Sequence, residues 1–128
     1  MNIILAVFAG GGLGSVMRYG ATAGAGRLFG AGALPYGTLA VNVLGCLAIG
    51  FLVEMWAVKF DAAPEIRAFA VTGFLGGFTT FSAFSMDVFK LAGTGRMLEA
   101  AAYAAASVFL SLLAVFGGVY LAKGVAAL

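Results

Sequence analysis

Histidine is absent from this sequence of 128 residues, cysteine occurs once, and charged side chains make up only 9% of it. Each shortage closes off a class of function. The single cysteine, Cys46, forbids a disulfide within the chain, and with no histidine the sequence argues against a zinc site or a Cys/His nucleophile. Cys46 lies in an apolar stretch, where a free thiol reads as a small packing residue. Soluble domains carry about 25% charged residues. So few charges cannot cover a water-facing surface, and most of the exterior must face lipid. The seven Lys and Arg and five Asp and Glu are scattered, for a net charge of +2, with no basic run of the length that nucleic acid needs. The apolar stretch from Met1 to Met17 lacks the positive region of a signal peptide and reads as a first spanning helix, retained in the mature protein. No nucleophile–base pair or metal-ligand cluster is visible, which ranks an enzyme last.

What the sequence does have is 63% hydrophobic residues and 20 glycines, a composition that suits close helix contacts in a membrane. Four apolar stretches reach the roughly 20 residues needed to cross about 30 Å of hydrocarbon. They run over about 3–25, 37–56, 66–89 and 97–122, and make one all-α transmembrane domain. The connections hold Arg27 and Pro35, then Lys59, Asp61, Pro64 and Glu65, then Lys90, Gly93, Thr94, Gly95 and Arg96. Pro64 and Glu65 suit a helix's first turn, Thr94 is placed to cap the last helix, and Trp56 sits near a membrane interface.

Four spans put both termini on one side, with Lys59, Arg67 and Lys123. The opposite side has Arg27, Lys90 and Arg96, joined by Arg18 if it snorkels outward. This balance gives no orientation by the positive-inside rule. Either the chain has one topology that the rule does not see, or copies insert both ways and pair antiparallel. Four helices are few for enclosing an aqueous path, and a two-fold dimer is the economical solution. The ridge Ala6, Gly10, Gly14 supports close helix contact, within one subunit or between two.

Polar residues inside a span are costly and need a reason. Arg18 continues the Ala6, Gly10, Gly14 face; it snorkels, supplies positive potential at a pore mouth, or holds a carboxylate or helix end. Asn42 lies about one turn into an apolar helix, and its amide serves either an interhelical bond or a pore. The third span reads Thr72-Gly73-Phe74-Leu75-Gly76-Gly77-Phe78-Thr79-Thr80-Phe81-Ser82-Ala83-Phe84-Ser85. Gly76-Gly77 before Thr79-Thr80 makes a poor continuous helix, and predicts a break near mid-span, tolerable only where protein or a cavity covers it. Phe81 and Phe84 share a face; their rings meet lipid, or turn positive edges toward an anion. In the fourth span Tyr103, Ser107 and Ser111 repeat every four residues as a hydroxyl stripe, either interhelical glue or a track of donors. Together these helices supply neutral donors and ring edges with no buried acid, which suits a small anion better than a cation.

Gly37-Thr38-Leu39-Ala40-Val41-Asn42 and Thr72-Gly73-x-x-Gly76-Gly77-x-Thr79-Thr80-Phe81-Ser82-x-Phe84-Ser85 closely resemble the Fluc (CrcB) fluoride channels. The likeness extends over essentially the whole chain, with Asp87 standing where many relatives have glutamate. The resemblance implies a fluoride-selective channel in a bacterial inner membrane, built as a dual-topology antiparallel homodimer with two pores. It implies a fluoride path along Asn42, Phe81, Phe84, Ser82, Thr38, Tyr103, Ser107 and Ser111, with Arg18 near an aqueous vestibule. It also implies a central structural sodium ion held by the backbone carbonyls of Gly76 and Thr79. Two rival readings are a small dual-topology multidrug exporter and a non-transporting accessory subunit. The first would need an acid deep in the membrane, and Glu54 and Asp87 lie near helix ends.

Overall fold

The computed structural model describes residues 2–128; Met1, the first residue of the apolar N-terminal stretch, lies outside the described residues. Among the described residues the chain is all-helical, with four helices long and apolar enough to cross a membrane, and the third is bent. It is a multi-pass membrane protein.

The first helix, Ile3–Phe29, is opened by Asn2, whose Oδ1 accepts the Ile4 N–H at 2.9 Å, and closed by Gly30 at φ 87°. The positive φ is the conformation glycine adopts without steric cost. The second helix, Tyr36–Val58, begins directly after Pro35. The third span, Pro64–Gly93, starts with Pro64 at its first position, where a missing N–H costs nothing, and with Glu65 in its first turn. The fourth helix is Met97–Ala126. Each span outruns the sequence-based range by one to four residues at one or both ends, because alanines, glycines and polar residues beyond the apolar stretch continue the helix.

Thr94 does not cap the fourth helix. Its Oγ1 donates back to the carbonyls of Lys90 and Leu91, both at 3.1 Å, and so closes the third. Gly95 turns the chain at φ 79°, which delays the next helix until Met97.

Glycines set the helix spacing. A Cβ on Gly10 would strike the Phe69 carbonyl oxygen, and one on Gly14 the Phe74 carbonyl oxygen. The Ala6, Gly10, Gly14 ridge is therefore buried within this chain, against the first half of the third span. On the opposite flank Gly50 meets the Val115 backbone and Gly118 meets the Leu47 backbone, locking the second helix to the fourth. Lipid tails give no hydrophobic drive between helices, so backbone-to-backbone dispersion of this kind is the main source of cohesion.

The third span is irregular in two ways. Residues Ala68–Leu75 are bonded in the wider i→i+5 pattern, a rarity that concentrates at functional sites. After the short α-turn Gly76–Phe78 the chain becomes extended at Thr79 (φ −84°, ψ 159°) and Thr80 (φ −156°, ψ 121°), before the helix resumes as Phe81–Gly93. The break thus falls after the glycine pair. Gly76 and Gly77 remain helical, and Gly77 lies against the Gly11 backbone, where a Cβ would clash.

Candidate functional site: a neutral cleft beside a helix break

The break is held from three sides. The Asn42 side chain grips Thr80 by both backbone groups: Thr80 N–H donates to Oδ1 at 2.7 Å, and Nδ2 donates to Thr80 O at 3.0 Å. Thr80 Oγ1 caps the second half by accepting the Ala83 N–H at 3.1 Å. Arg18 Nε donates to the Gly77 carbonyl at 2.9 Å, so the guanidinium holds a helix end, the third of its expected alternatives. A cation there is favoured by the negative end of the helix dipole.

These bonds redirect two others. In a continuous helix the Thr80 N–H would go to the Gly76 carbonyl and the Ala83 N–H to the Thr79 carbonyl. Here they go to Asn42 and to the Thr80 hydroxyl. Gly76 and Thr79 are thereby deprived of their i+4 donors, which leaves two carbonyl oxygens of the kind that suits a hard cation such as sodium.

Beside the break lies a cleft of about 300 Å³ between the second, third and fourth helices. Asn42, Thr79, Phe81, Phe84, Ser107 and Ser111 all line it, so six of the expected residues converge on one space. The Phe81 and Phe84 rings are 5.3 Å apart and tilted by 56°. Phe84 is buried, whereas Phe81 is 76% exposed on the single chain. No Asp, Glu, Lys or Arg reaches the cleft.

Counting donors narrows what the cleft offers. Thr79 Oγ1 is committed to Leu75 O at 2.8 Å, and one Asn42 N–H is committed to Thr80 O. The remaining donors among the lining side chains are the second Asn42 N–H, the Ser111 and Thr80 hydroxyls, the latter shared with Ser82 Oγ, and the weak Cys46 thiol, with the Ser107 hydroxyl enclosed beneath the cleft surface. Ser107 Oγ is buried and has no hydrogen-bond partner of normal geometry among the described residues. A buried hydroxyl left without a partner costs about 1–3 kcal/mol. The side chain that Ser107 pairs with, at a looser geometry, is Tyr103, whose own hydroxyl proton goes to Asp87.

Of the expected residues outside the cleft, Arg18 and Gly76 flank the break, and the three expected for the fluoride path stand apart. Thr38 is buried and lines a second cavity, of about 280 Å³, together with Asp87 and Thr22. Tyr103 is buried and donates to Asp87 Oδ2 at 3.2 Å. Its ring lies 5.6 Å from that of Phe84, which lines the cleft, and its partner Asp87 lines the second cavity, so Tyr103 stands between the two spaces. Ser82 is exposed, with its Oγ 3.3 Å from Thr80 Oγ1.

The model of the family described as CrcB-like protein, Camphor Resistance (CrcB), matches residues 5–119. This chain belongs to the CrcB family. It is 51% identical over 126 residues to a protein of Rhizobium johnstonii, spanning 98% of this chain and 99% of that one. It is 53% identical to one from Rhizobium meliloti (96% and 98% covered) and 50% identical to one from Rhodospirillum centenum (96% and 97% covered). All three relatives are named fluoride-specific ion channel FluC. The resemblance read from the two motifs is borne out, over nearly the whole length.

Sequence reasoning missed two residues that shape the site in this CrcB chain. Thr80 is the anchor of the break, and its place one residue before Phe81 is an N-cap signal that was there to be read. Gly45, one turn beyond Asn42, lets the Thr79 methyl lie against the second helix, where a Cβ would collide with it. Nothing in the local pattern marks Gly45 apart from the other glycines.

Proposed function

We propose that this chain forms a passive, fluoride-selective channel as an antiparallel homodimer with two pores, and that it releases fluoride from a bacterial cytoplasm through the inner membrane. The observation that carries the proposal is the cleft, which gathers neutral polar groups and phenyl rings from three helices and is lined by no charged side chain. The relatives named as fluoride channels, about half identical along nearly the full chain, support the choice of ion.

Stripping a small anion of water costs on the order of 20 kcal/mol in the idealised Born limit. A fixed positive charge in the path would offset that cost but trap the ion. Hydroxyls of Ser107 and Ser111, the free Asn42 N–H and the positive edges of Phe81 and Phe84 share the task without a full charge. Tyr103 and Thr38 extend the path toward the second cavity, Ser82 lies beside the break, and Arg18 adds positive potential from the vestibule. A second copy would cover the open side of the cleft, where Phe81 is exposed. The even charge distribution is compatible with insertion both ways.

The carbonyls of Gly76 and Thr79, freed of their helical donors, are the groups that would hold a structural sodium ion. When bound, such an ion would offset the negative carbonyl ends of the first half-helices, one from each copy, at the dimer centre.

Fluoride efflux from loaded proteoliposomes, read with an ion electrode beside a chloride control, tests the proposal. Phe81→Ile should slow fluoride about tenfold, equivalent to about 1.4 kcal/mol in the barrier. Equal flux in this variant and the parent would remove Phe81 from the path. Ser107→Ala should slow it by less, since it deletes one donor and also relieves a buried, loosely paired hydroxyl. Its thermal midpoint should hold or rise, and a large fall would show the hydroxyl to be structural.

A further inference from the structure

We propose that Gly45 and the hydroxyl of Thr79 are positioning residues for the cation site, together fixing the direction of the Thr79 carbonyl. This assignment rests on the reading of the Gly76 and Thr79 carbonyls as the groups that would hold sodium.

The peptide that joins Thr79 to Thr80 is trans and planar, so its carbonyl points opposite to its N–H. That N–H donates to Asn42 Oδ1 at 2.7 Å, and the Thr79 carbonyl therefore faces away from Asn42. The second helix thus holds one end of the unit. The Thr79 residue itself holds the other. Its N–H and its Oγ1 both donate to the Leu75 carbonyl, at 2.9 and 2.8 Å, which ties Thr79 to the first half-helix although its backbone is already extended.

With the hydroxyl committed to Leu75, the stiff β-branched side chain has one direction left for its methyl. That methyl lies against Gly45, which is buried on the second helix. A Cβ on Gly45 would collide with Thr79 Cγ2, whereas the next atoms it would meet, Phe78 Cδ1 and Thr79 Cβ, are at 3.5 and 3.7 Å, ordinary van der Waals distances. Gly50 and Gly118 differ, because they meet backbone that no side-chain change can relieve. At Gly45 the obstacle is one methyl group. An alanine there is admitted if Thr79 rotates and gives up its Leu75 bond, or if the extended backbone shifts. Either change turns the Thr79 carbonyl. Gly45, Leu75, Gly76 and Thr79 also line one cavity of about 150 Å³, so this clamp adjoins both carbonyl-bearing residues. Removing an outer partner that orients a metal ligand typically weakens the metal's binding by about 10- to 100-fold.

The experiment uses the full chain in detergent. Its thermal midpoint is followed over a series of sodium chloride concentrations, with N-methylglucamine chloride keeping the ionic strength constant. An ion that binds the folded protein raises the parent midpoint by mass action. Thr79→Val keeps the shape and drops the hydroxyl bond. This variant and Gly45→Ala should each need about 10- to 100-fold more sodium for half of the rise. Thr79→Ser keeps the hydroxyl and removes the methyl, which makes room for alanine at position 45. The double variant Gly45→Ala, Thr79→Ser should therefore need no more sodium than Thr79→Ser alone.

Lower midpoints with an unchanged sodium requirement in Gly45→Ala and Thr79→Val would show that both residues serve packing, and would overturn the proposal. A double variant that behaves no better than Gly45→Ala, folded or not, also overturns it. A parent midpoint indifferent to sodium overturns the cation-site reading and this assignment with it, while fluoride efflux from the same protein in liposomes decides the channel reading separately.

Discussion

Asn42→Asp should reduce fluoride efflux from loaded proteoliposomes to background. The native amide satisfies the Thr80 N–H through Oδ1 and the Thr80 carbonyl through Nδ2. Aspartate keeps the first bond and loses the second, setting a carboxylate oxygen against a carbonyl oxygen. It also puts a full negative charge into a cleft otherwise free of Asp and Glu. Two unit charges about 4 Å apart at an effective dielectric of 20 repel by about 4 kcal/mol, close to three orders of magnitude in rate. Asn42→Ala separates the two effects. It leaves both Thr80 backbone groups unpaired, at about 1–3 kcal/mol each where water cannot reach them, but brings no charge. Its thermal midpoint in detergent should therefore fall clearly, while part of the flux survives. Aspartate and parent proteins conducting alike would show that fluoride does not pass Asn42.

The second large effect is on assembly. Gly14→Ala should prevent the protein from being recovered as a monodisperse species in detergent. The added methyl would collide with the Phe74 carbonyl oxygen, a backbone atom fixed within the third span. Overpacking a well-packed interface costs about 1–3 kcal/mol where side chains can yield; here the helices must move apart. The same substitution on the same helix at Gly20, which has nothing within 4 Å, is the control. Away from a contact, alanine gains up to about 1 kcal/mol over glycine in helix propensity, so Gly20→Ala should hold or raise the thermal midpoint. Equal behaviour of the two variants would mean that the first and third spans are not in backbone contact.

The contrast between Gly14 and Gly20 shows where the sequence was legible. Residues that are four apart on one helix, such as Ala6, Gly10 and Gly14, declare a shared face, but not what the face touches. The apolar stretches announced four spans because hydropathy is a local property. The break was foreseen in the right segment but assigned to a region that began with Gly76, since glycine is the familiar breaker. What fixes it is Asn42 gripping Thr80 across 38 residues of sequence, a pairing that no periodicity encodes. Arg18 finding Gly77 across 59 residues is of the same kind. Asn42, Phe81, Phe84, Ser107 and Ser111 were all singled out as candidates, and the structure brings them together. The division of the fourth helix's stripe was not visible. Tyr103 turns to Asp87, whereas Ser107 and Ser111 turn to the cleft, a split set by the position of the third span rather than by spacing.

The interruption at Thr79 and Thr80 also has an electrical side. A helix cut in two gains a second pair of poles, and these lie face to face well away from either end of the span. The half that ends at Phe78 presents oxygens, and the half that begins at Phe81 presents N–H groups. Two extended residues separate the poles, so the same short segment draws positive charge to one side and negative charge to the other. The guanidinium of Arg18 already sits at the oxygen pole, on Gly77, and the rings of the cleft begin at the amide pole, with Phe81. One bend in the chain thus sets poles of opposite sign two residues apart without placing an acidic side chain at the break.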